Sequence, residues 1–367
     1  MDQERLSLLA LHLVPGIGDF LIKQLISYCG SAEEVFRLPK GKLMKVPGVG
    51  PVTAMAIANR STFDLAEDEL QRAAKEDTHL LFFTDKAFPQ RLRQYDDCPP
   101  LLYVKGNTNL NTPKTVGIVG TRQATDYGKA MVEKIVEDLK VHQPTIISGL
   151  AYGIDVHAHK LALQCGLPTI GVMGNGMDIV YPALHRDIAR RMLSQGSLIT
   201  EHPFGTKPDA HNFPARNRII AAMSDALIVV EAAEKGGALI TAEIANSYNK
   251  DVFAVPGAVG QPYSEGCNKL IKTNRAHLLT SVKDVEYIMN WEVNGTASAI
   301  SDPSVFEGDE KLVVTVLRER SAPMMIDEIS IKTSLPHGML ASLLLGLEFK
   351  NVVSALPGKM YRLTGKA

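Results

Sequence analysis

Five short turns between residues 120 and 237 share a composition suited to holding an anion. They read Gly120-Thr121-Arg122, Ser148-Gly149-Leu150-Ala151, Gly174-Asn175-Gly176, Glu201-His202-Pro203 and Glu234-Lys235-Gly236-Gly237. Backbone N–H groups at helix starts, backed by the positive end of the helix dipole, suit phosphate or carboxylate oxygens. Tight-turn chemistry explains one or two of these glycines but not five such turns in succession. A further segment, His211-Asn212-Phe213-Pro214-Ala215-Arg216-Asn217-Arg218-Ile219-Ile220, adds cations, amides and an aromatic ring. Pro214 fixes a dihedral near the first turn of a helix, which puts Arg216 and Asn217 near its positive end. An arginine there is disfavoured unless an anion joins it. Phe213, just outside, offers a face on which a base can stack for about 1–3 kcal/mol, whatever its identity. The plainer alternative makes Phe213 a hydrophobic staple and Arg216 a surface ion pair.

The elements that must position these residues are legible in the periodicity. Short, nearly continuous apolar runs at 115–119, 145–148, 169–173, 198–201, 226–231 and 252–255 alternate with helical periods at about 127–140, 155–165, 185–195, 216–223 and 238–248. That alternation is the pattern of a parallel sheet with crossover helices, its strands covered on both faces. Apolar 80–83 and 101–104 add edge strands. The expected fold is α/β, an extended Rossmann-like doubly wound sheet over 79–290. The glycine-rich turns then fall at the carboxyl ends of the strands, where open α/β sheets bind ligands.

Several chemistries are poorly supported. The first turn lacks G-x-G-x-x-G, and no G-x-x-x-x-G-K-[ST], G-x-S-x-G or H-E-x-x-H pattern occurs, which disfavours dinucleotide, ATP, serine-hydrolase and zinc-protease chemistry. The four cysteines, Cys29, Cys98, Cys165 and Cys267, form no C-x-x-C pair and read as reduced core residues. No enzyme activity, metal or cofactor is expected. The 367 residues carry 39 basic and 40 acidic side chains, for a net charge of -1. A polyanion must therefore be held by local geometry rather than by a global field. No apolar run approaches a membrane span, and the acidic start Met1-Asp2-Gln3-Glu4-Arg5 lacks the charge of a signal peptide. The expectation is a cytoplasmic protein with no membrane partner.

Both flanks have their own signatures. Residues 1–78 read as short helices interrupted twice, 32 residues apart, by Val14-Pro15-Gly16-Ile17-Gly18 and Val46-Pro47-Gly48-Val49-Gly50. Each looks like the hairpin of a helix-hairpin-helix module, whose glycine N–H groups approach DNA phosphates unobstructed. Arg37, Lys40, Lys42 and Lys45 surround the second hairpin, making Lys42, Lys45, Gly48 and Gly50 candidate DNA contacts, along with Arg186. The alternative is a helical domain that only packs on the sheet, which Asp19 favours for the first hairpin. A polar linker at 291–307 precedes 308–367, where three helical periods and a hairpin through Leu356-Pro357-Gly358-Lys359 make a winged helix-turn-helix. Its groove-facing helix, about 336–348, lacks the basic and amide side chains that read bases. Protein contact or intramolecular regulation suits it better.

The runs Val119-Gly120-Thr121-Arg122 with Tyr127-Gly128, Ser148-Gly149-Leu150-Ala151-Tyr152-Gly153-Ile154-Asp155, Tyr181-Pro182, Phe213-Pro214-Ala215-Arg216-Asn217-Arg218-Ile219-Ile220-Ala221, Leu239-Ile240-Thr241-Ala242 and Ala254-Val255-Pro256-Gly257 together resemble the DNA-processing protein A (DprA, or Smf) family. They stand in that family's order over about 80–280. The resemblance implies a bacterial protein that binds single-stranded DNA without regard to sequence, protects incoming strands in natural transformation and helps load the RecA recombinase. It also suggests a homodimer through the sheet domain. Carried over by residue, Arg122, Arg216 and Asn217 hold the phosphate backbone, Gly120, Thr121, Ser148, Gly149 and Gly237 line the pocket, Phe213 touches a base, and His211 stands beside it. Two positions depart from the pattern: Lys235-Gly236-Gly237-Ala238 replaces a more usual Ser-Gly-Ser run, and His185 lies where Asn commonly follows Tyr-Pro.

Two other function classes compete. Gly236-Gly237 with Thr241 and Glu243 distantly resembles related nucleotide-binding folds that cleave N-glycosidic bonds, with Glu243 as the catalytic carboxylate. A transcription regulator would use the winged helix as reader and the sheet as sensor.

Overall fold

The two hairpins of the amino-terminal region take one and the same turn. Ile17 N–H donates to Val14 O at 3.2 Å and Val49 N–H to Val46 O at 3.1 Å, while Gly16 and Gly48 sit at φ of +80° and +83°. Proline followed by a left-handed glycine is the signature of a type II turn. Each turn delivers the chain into the next helix, Asp19–Cys29 after the first and Pro51–Ala58 after the second. Helices Gln3–His12, Ala32–Arg37 and Phe63–Lys75 complete the packing around them.

The computed structural model describes residues 3–291, 306–320, 323–350, 352–356 and 360–363. Met1–Met289 form one compact unit and Asn290–Ala367 a second. In the first unit, strands β1 (His79–Phe82), β2 (Leu101–Gly106), β3 (Thr115–Val119), β4 (Thr145–Ser148), β5 (Thr169–Val172), β6 (Ser197–Thr200), β7 (Ala226–Val229), β8 (Asp251–Ala254) and β9 (His277–Leu278) make one sheet. Their order is β1-β2-β6-β5-β4-β3-β7-β8-β9. Pairing is parallel from β6 to β9 and antiparallel at β1–β2 and β2–β6. From β3 the chain winds outward through β4, β5 and β6, then returns to the other side of β3 with β7 and β8. That reversal is a topological switch point, and it opens a crevice beyond the carboxyl ends of β3 and β7.

The helical region and the sheet share a core. Leu9, Leu11, Ile22 and Leu25 pack in one apolar cluster with Phe82, Tyr103, Leu150 and Met192. A partly buried ion triad sits on the same boundary. Arg218 donates to Asp19 at 2.9 Å and also to Glu201, so Asp19, read from sequence as a mark against phosphate contact, holds the two regions together.

The second unit has its own core of Val313, Val314, Leu317, Leu340, Leu344 and Leu347. Helices Gly308–Glu319, Ile326–Thr333 and His337–Phe349 and a three-stranded sheet of Met324–Met325, Met360–Leu363 and Val353–Leu356 give the winged helix. Most of the linker expected at 291–307, and the turn Pro357-Gly358-Lys359, lie outside the described residues.

Candidate nucleic-acid interface

The crevice at the switch point is a pocket of about 540 Å³. The turn after β3 brings Gly120, Thr121 and Arg122 to it. The helix Asn212–Met223 brings Phe213, Arg216 and Asn217, and the helix Gly237–Ser247 presents its first residues, Gly237 and Ala238, with Thr241 one turn on. Among the lining residues the ionic side chains are Arg122, Arg216 and Asp155.

Arg216 is the centre of this construction, and not in the manner its sequence position suggests. It is 4% exposed. Its Nη1 donates to Gly149 O at 2.7 Å and to Val172 O, tying the turn after β4 to the end of β5. From the other side, Gly149 N–H donates to the buried Asp155 carboxylate at 3.2 Å. Gly149 is thus clamped between a cation and an anion. A Cβ there would lie 2.6 Å from the guanidinium, so no other residue fits without moving Arg216. The next residue, Leu150, sits at φ +55°, a conformation a branched side chain adopts only when its surroundings impose it. Burial pushes Asp155 up against the pull of Arg216. Burial draws Arg216 down to about 10, with Asp155 opposing the shift and Arg122 adding to it. The guanidinium therefore stays charged at neutral pH. Its Nε has no hydrogen-bond partner, and the side chain lines the pocket together with Asp155, whose charge opposes its own there.

Above this floor Arg122 is exposed, with its guanidinium carbon 5.6 Å from the centre of the half-buried Phe213 ring. Tyr181 stands 5.6 Å from the same ring at 31°. Tyr152, Tyr181 and Phe213 line a small hollow beside Arg122, with Gly149 and Arg216 beneath. A cation over a ring face, flanked by two more exposed rings, presents both partners that an unpaired nucleotide needs.

The sequence-derived site is partly assembled. Gly120, Thr121, Arg122, Phe213, Arg216, Asn217 and Gly237 line the main pocket, and Gly149 the hollow beside it. Arg216 was expected to hold a phosphate, but its Nη1 is already committed to two carbonyls, leaving Arg122 as the exposed arginine. Ser148 was expected to line the pocket. It is buried, and its hydroxyl donates to Ile118 O at 2.6 Å, so it joins β4 to β3 instead. His211 is exposed just before Asn212–Met223 and lines neither space. Lys42, Lys45, Gly48, Gly50 and Arg186 also lie outside both. Arg37, grouped by sequence with the free cations of the second hairpin, is paired with Glu33 and with Glu34. His185 is buried, its Nδ1 2.8 Å from Leu150 O, so it too supports the strained turn.

Asp155, Tyr152 and Tyr181 received no role from sequence. A signal for the buried pair existed. Positions 216, 219, 220 and 223 share one helical stripe, as do 155, 158, 159 and 162, and all eight residues are buried.

Neither competing function gains support at this site. Glu243 is exposed, sits 3.4 Å from Arg275 and does not line the pocket. On the groove-facing helix of the winged domain, His337 pairs with Asp327 at 2.7 Å, and Met339, Leu345 and Phe349 are exposed. Among the described residues no cluster of three or more His, Cys, Asp or Glu forms a metal site, and no helix is long and apolar enough to cross a membrane.

Comparison with known proteins gives consistent matches along the chain. The profile of DNA recombination-mediator protein A matches residues 79–290, that of the DprA winged helix domain 299–359, and that of a SAM-like helix-hairpin-helix tandem 8–59 and 40–80. Protein Smf of Synechocystis is 32% identical over 400 residues, covering 98% of this chain and 99% of that protein. DNA processing protein DprA of Streptococcus pneumoniae is 40% identical over 201 residues, 55% of this chain and 71% of its own. The X-ray structure of S. pneumoniae DprA superposes with a TM-score of 0.68 at 32% identity, over 76% of this chain and 95% of that one. A Helicobacter pylori DprA structure, described as showing a single-stranded DNA binding mode, superposes with a TM-score of 0.53 at 28% identity, over 58% and 95%.

Proposed function

Because this chain belongs to the DNA recombination-mediator protein A (DprA/Smf) family, we propose that it binds single-stranded DNA, without regard to sequence, in the crevice between β3 and β7. The observation that carries this reading is Arg122 standing 5.6 Å over the Phe213 ring, above a floor formed by the buried Arg216 and Asp155. Arg122 and the N-terminus of Gly237–Ser247 hold phosphate oxygens, and Asn217 adds a polar contact. Phe213, with Tyr181 beside it, stacks on a base. Paired bases cannot reach that ring, which gives the preference for single strands. Arg216 acts mainly by fixing the turn at Gly149. Lys42, Lys45, Gly48 and Gly50, at the second hairpin, and Arg186 extend the contact along the strand.

Binding of this kind performs no reaction on the strand. It protects the strand and hands it to RecA, in keeping with the family's description as a recombination mediator, in the cytoplasm and as a homodimer through the sheet domain. The test is a titration of a labelled mixed-sequence strand against its duplex, followed by RecA assembly on a strand coated with single-strand-binding protein. Tighter binding of the strand and faster RecA assembly support the proposal. A duplex preference would instead favour the transcription-regulator reading, and release of free base from nucleoside monophosphates would favour the glycosidase reading.

A further inference from the structure

A second cleft, of about 690 Å³, opens on the other side of the segment 120–125. Thr121 and Arg122 line the first pocket, whereas Thr125 lines the second and Gln123 bonds to its wall. The walls carry two tyrosine rings and, apart from Glu231, only uncharged side chains. Tyr127 is 48% exposed, and its hydroxyl donates to Pro256 O at 2.7 Å. The Tyr263 hydroxyl donates to Gln123 Oε1, and Tyr263 O accepts the Ala232 N–H at 2.8 Å. Both rings are therefore held by their hydroxyl ends. The acid in the cleft, Glu231, is 4% exposed, and its two oxygens accept the N–H and the hydroxyl of Thr125. No lysine or arginine lines the space.

We propose that this cleft is a second base-binding subsite for the same DNA strand. The chemistry separates the two halves of a nucleotide. A phosphate finds its cation at Arg122, on the ridge between the clefts, and nothing to neutralise it inside the second one. An unstacked base finds ring faces whose orientation is already fixed, so stacking costs little side-chain entropy. The second cleft lies beyond the carboxyl ends of β7 and β8 and is bordered by Thr125, three residues from Arg122, so a strand laid over Arg122 reaches both. Gln261 and Ser264 on the wall offer polar atoms to any base edge without selecting one.

The inference rests on the proposed binding of single strands, and its test keeps the two apart. Affinities are measured for a trinucleotide, a 20-nucleotide strand, and the same strand with a central abasic run. Tyr127→Ala and Tyr263→Ala should each weaken the 20-nucleotide strand by about 5- to 150-fold, the range expected for one lost stack. The trinucleotide, the abasic strand and the salt slope should be unchanged, and Tyr127→Phe, which keeps the ring but loses its hydroxyl anchor to Pro256 O, should weaken the long strand less than Tyr127→Ala does. Thermal melts identify any variant that fails to fold, and Tyr127→Leu then replaces it. If both alanine variants bind the long strand as wild type while Arg122→Ala weakens it, the second subsite is refuted and the first reading stands. If they weaken the trinucleotide equally, or change the salt slope, the rings act only through the 120–125 segment and the subsite is likewise refuted. If Arg122→Ala and Phe213→Ala also leave binding intact, the underlying reading falls instead.

Discussion

Replacing Arg216 with methionine separates a structural cation from a phosphate ligand. The variant keeps an unbranched apolar stem and removes the charged end. It leaves the buried Asp155 without its cation and strips Nη1 from the carbonyls of Gly149 and Val172. Arg216 and Asp155 interact through their charges without a direct salt bridge, so the cost should not exceed the roughly 3–5 kcal/mol of breaking a buried ion pair. Part of that cost is the stranding of the Gly149 and Val172 carbonyls, at about 1–3 kcal/mol for an unmet buried group. In a unit of this size that lowers the melting temperature by roughly 5–10 °C. Urea unfolding followed by circular dichroism measures it directly. Adding Asp155→Asn removes the orphaned charge, so the double variant should lose about 1–3 kcal/mol less than the two single losses combined. Arg122→Ala, at an exposed position, should change stability by no more than about 0.5 kcal/mol. An Arg216→Met protein with a wild-type urea midpoint and a lower salt slope for DNA would refute the reasoning, because Arg216 would then be a phosphate ligand and not a support.

Other expectations follow from the same geometry. Gly149→Ala places a methyl 2.6 Å from the Arg216 guanidinium and should destabilise by about 1–3 kcal/mol, read as a shifted urea midpoint with weakened strand binding. Burial raises Glu201 to about 7, against the pull of Arg218. The folded state then binds that proton more tightly than the unfolded chain, so this stabilisation is complete below about pH 4.5 and is lost as pH rises through 7. Melts of wild type and Glu201→Gln between pH 5 and 8 should show the variant losing less stability with rising pH, by at most about 3 kcal/mol. Burial holds His12 down at about 4, so its opposite contribution, lost as pH falls below 6.5, is common to both proteins. Replacing both Lys42 and Lys45 with glutamine should lower the slope of log affinity against log salt by up to about 1.4, measured on a strand long enough to reach the second hairpin.

Much of the fold was legible because its strands are short and covered on both faces. The β-branched runs at 115–119 and 145–148 coincide with β3 and β4, and the run at 198–201 lies one residue from β6. The repeated Pro-Gly turns carried the helical region, since a proline before a left-handed glycine leaves few backbone alternatives. Strand His277–Leu278 and the Met324–Met325 strand went unseen, as two residues carry no period. At the site, residue type was a better guide than residue role. Gly120, Arg122 and Phe213 stand where the turns and the resemblance put them. Arg216 was misread because charge was weighed above stripe: its helical register with Ile219, Ile220 and Met223 turns it inward. Ser148 likewise ends a strand covered on both faces, so its hydroxyl meets a neighbouring carbonyl rather than a ligand. Arg37 looked free because its partners, Glu33 and Glu34, precede it by a helical turn, outside the basic run.

Salt-dependent binding by wild type, Arg122→Ala and Phe213→Ala tests the central claim most directly. A labelled mixed-sequence strand and its duplex are titrated across a tenfold range of salt. The account expects the single strand to bind more tightly, Arg122→Ala to lower its log–log slope by about 0.7, and Phe213→Ala to weaken it about 5- to 150-fold with the slope unchanged. Equal affinity for the duplex, together with wild-type slopes and affinities in both variants, would contradict it.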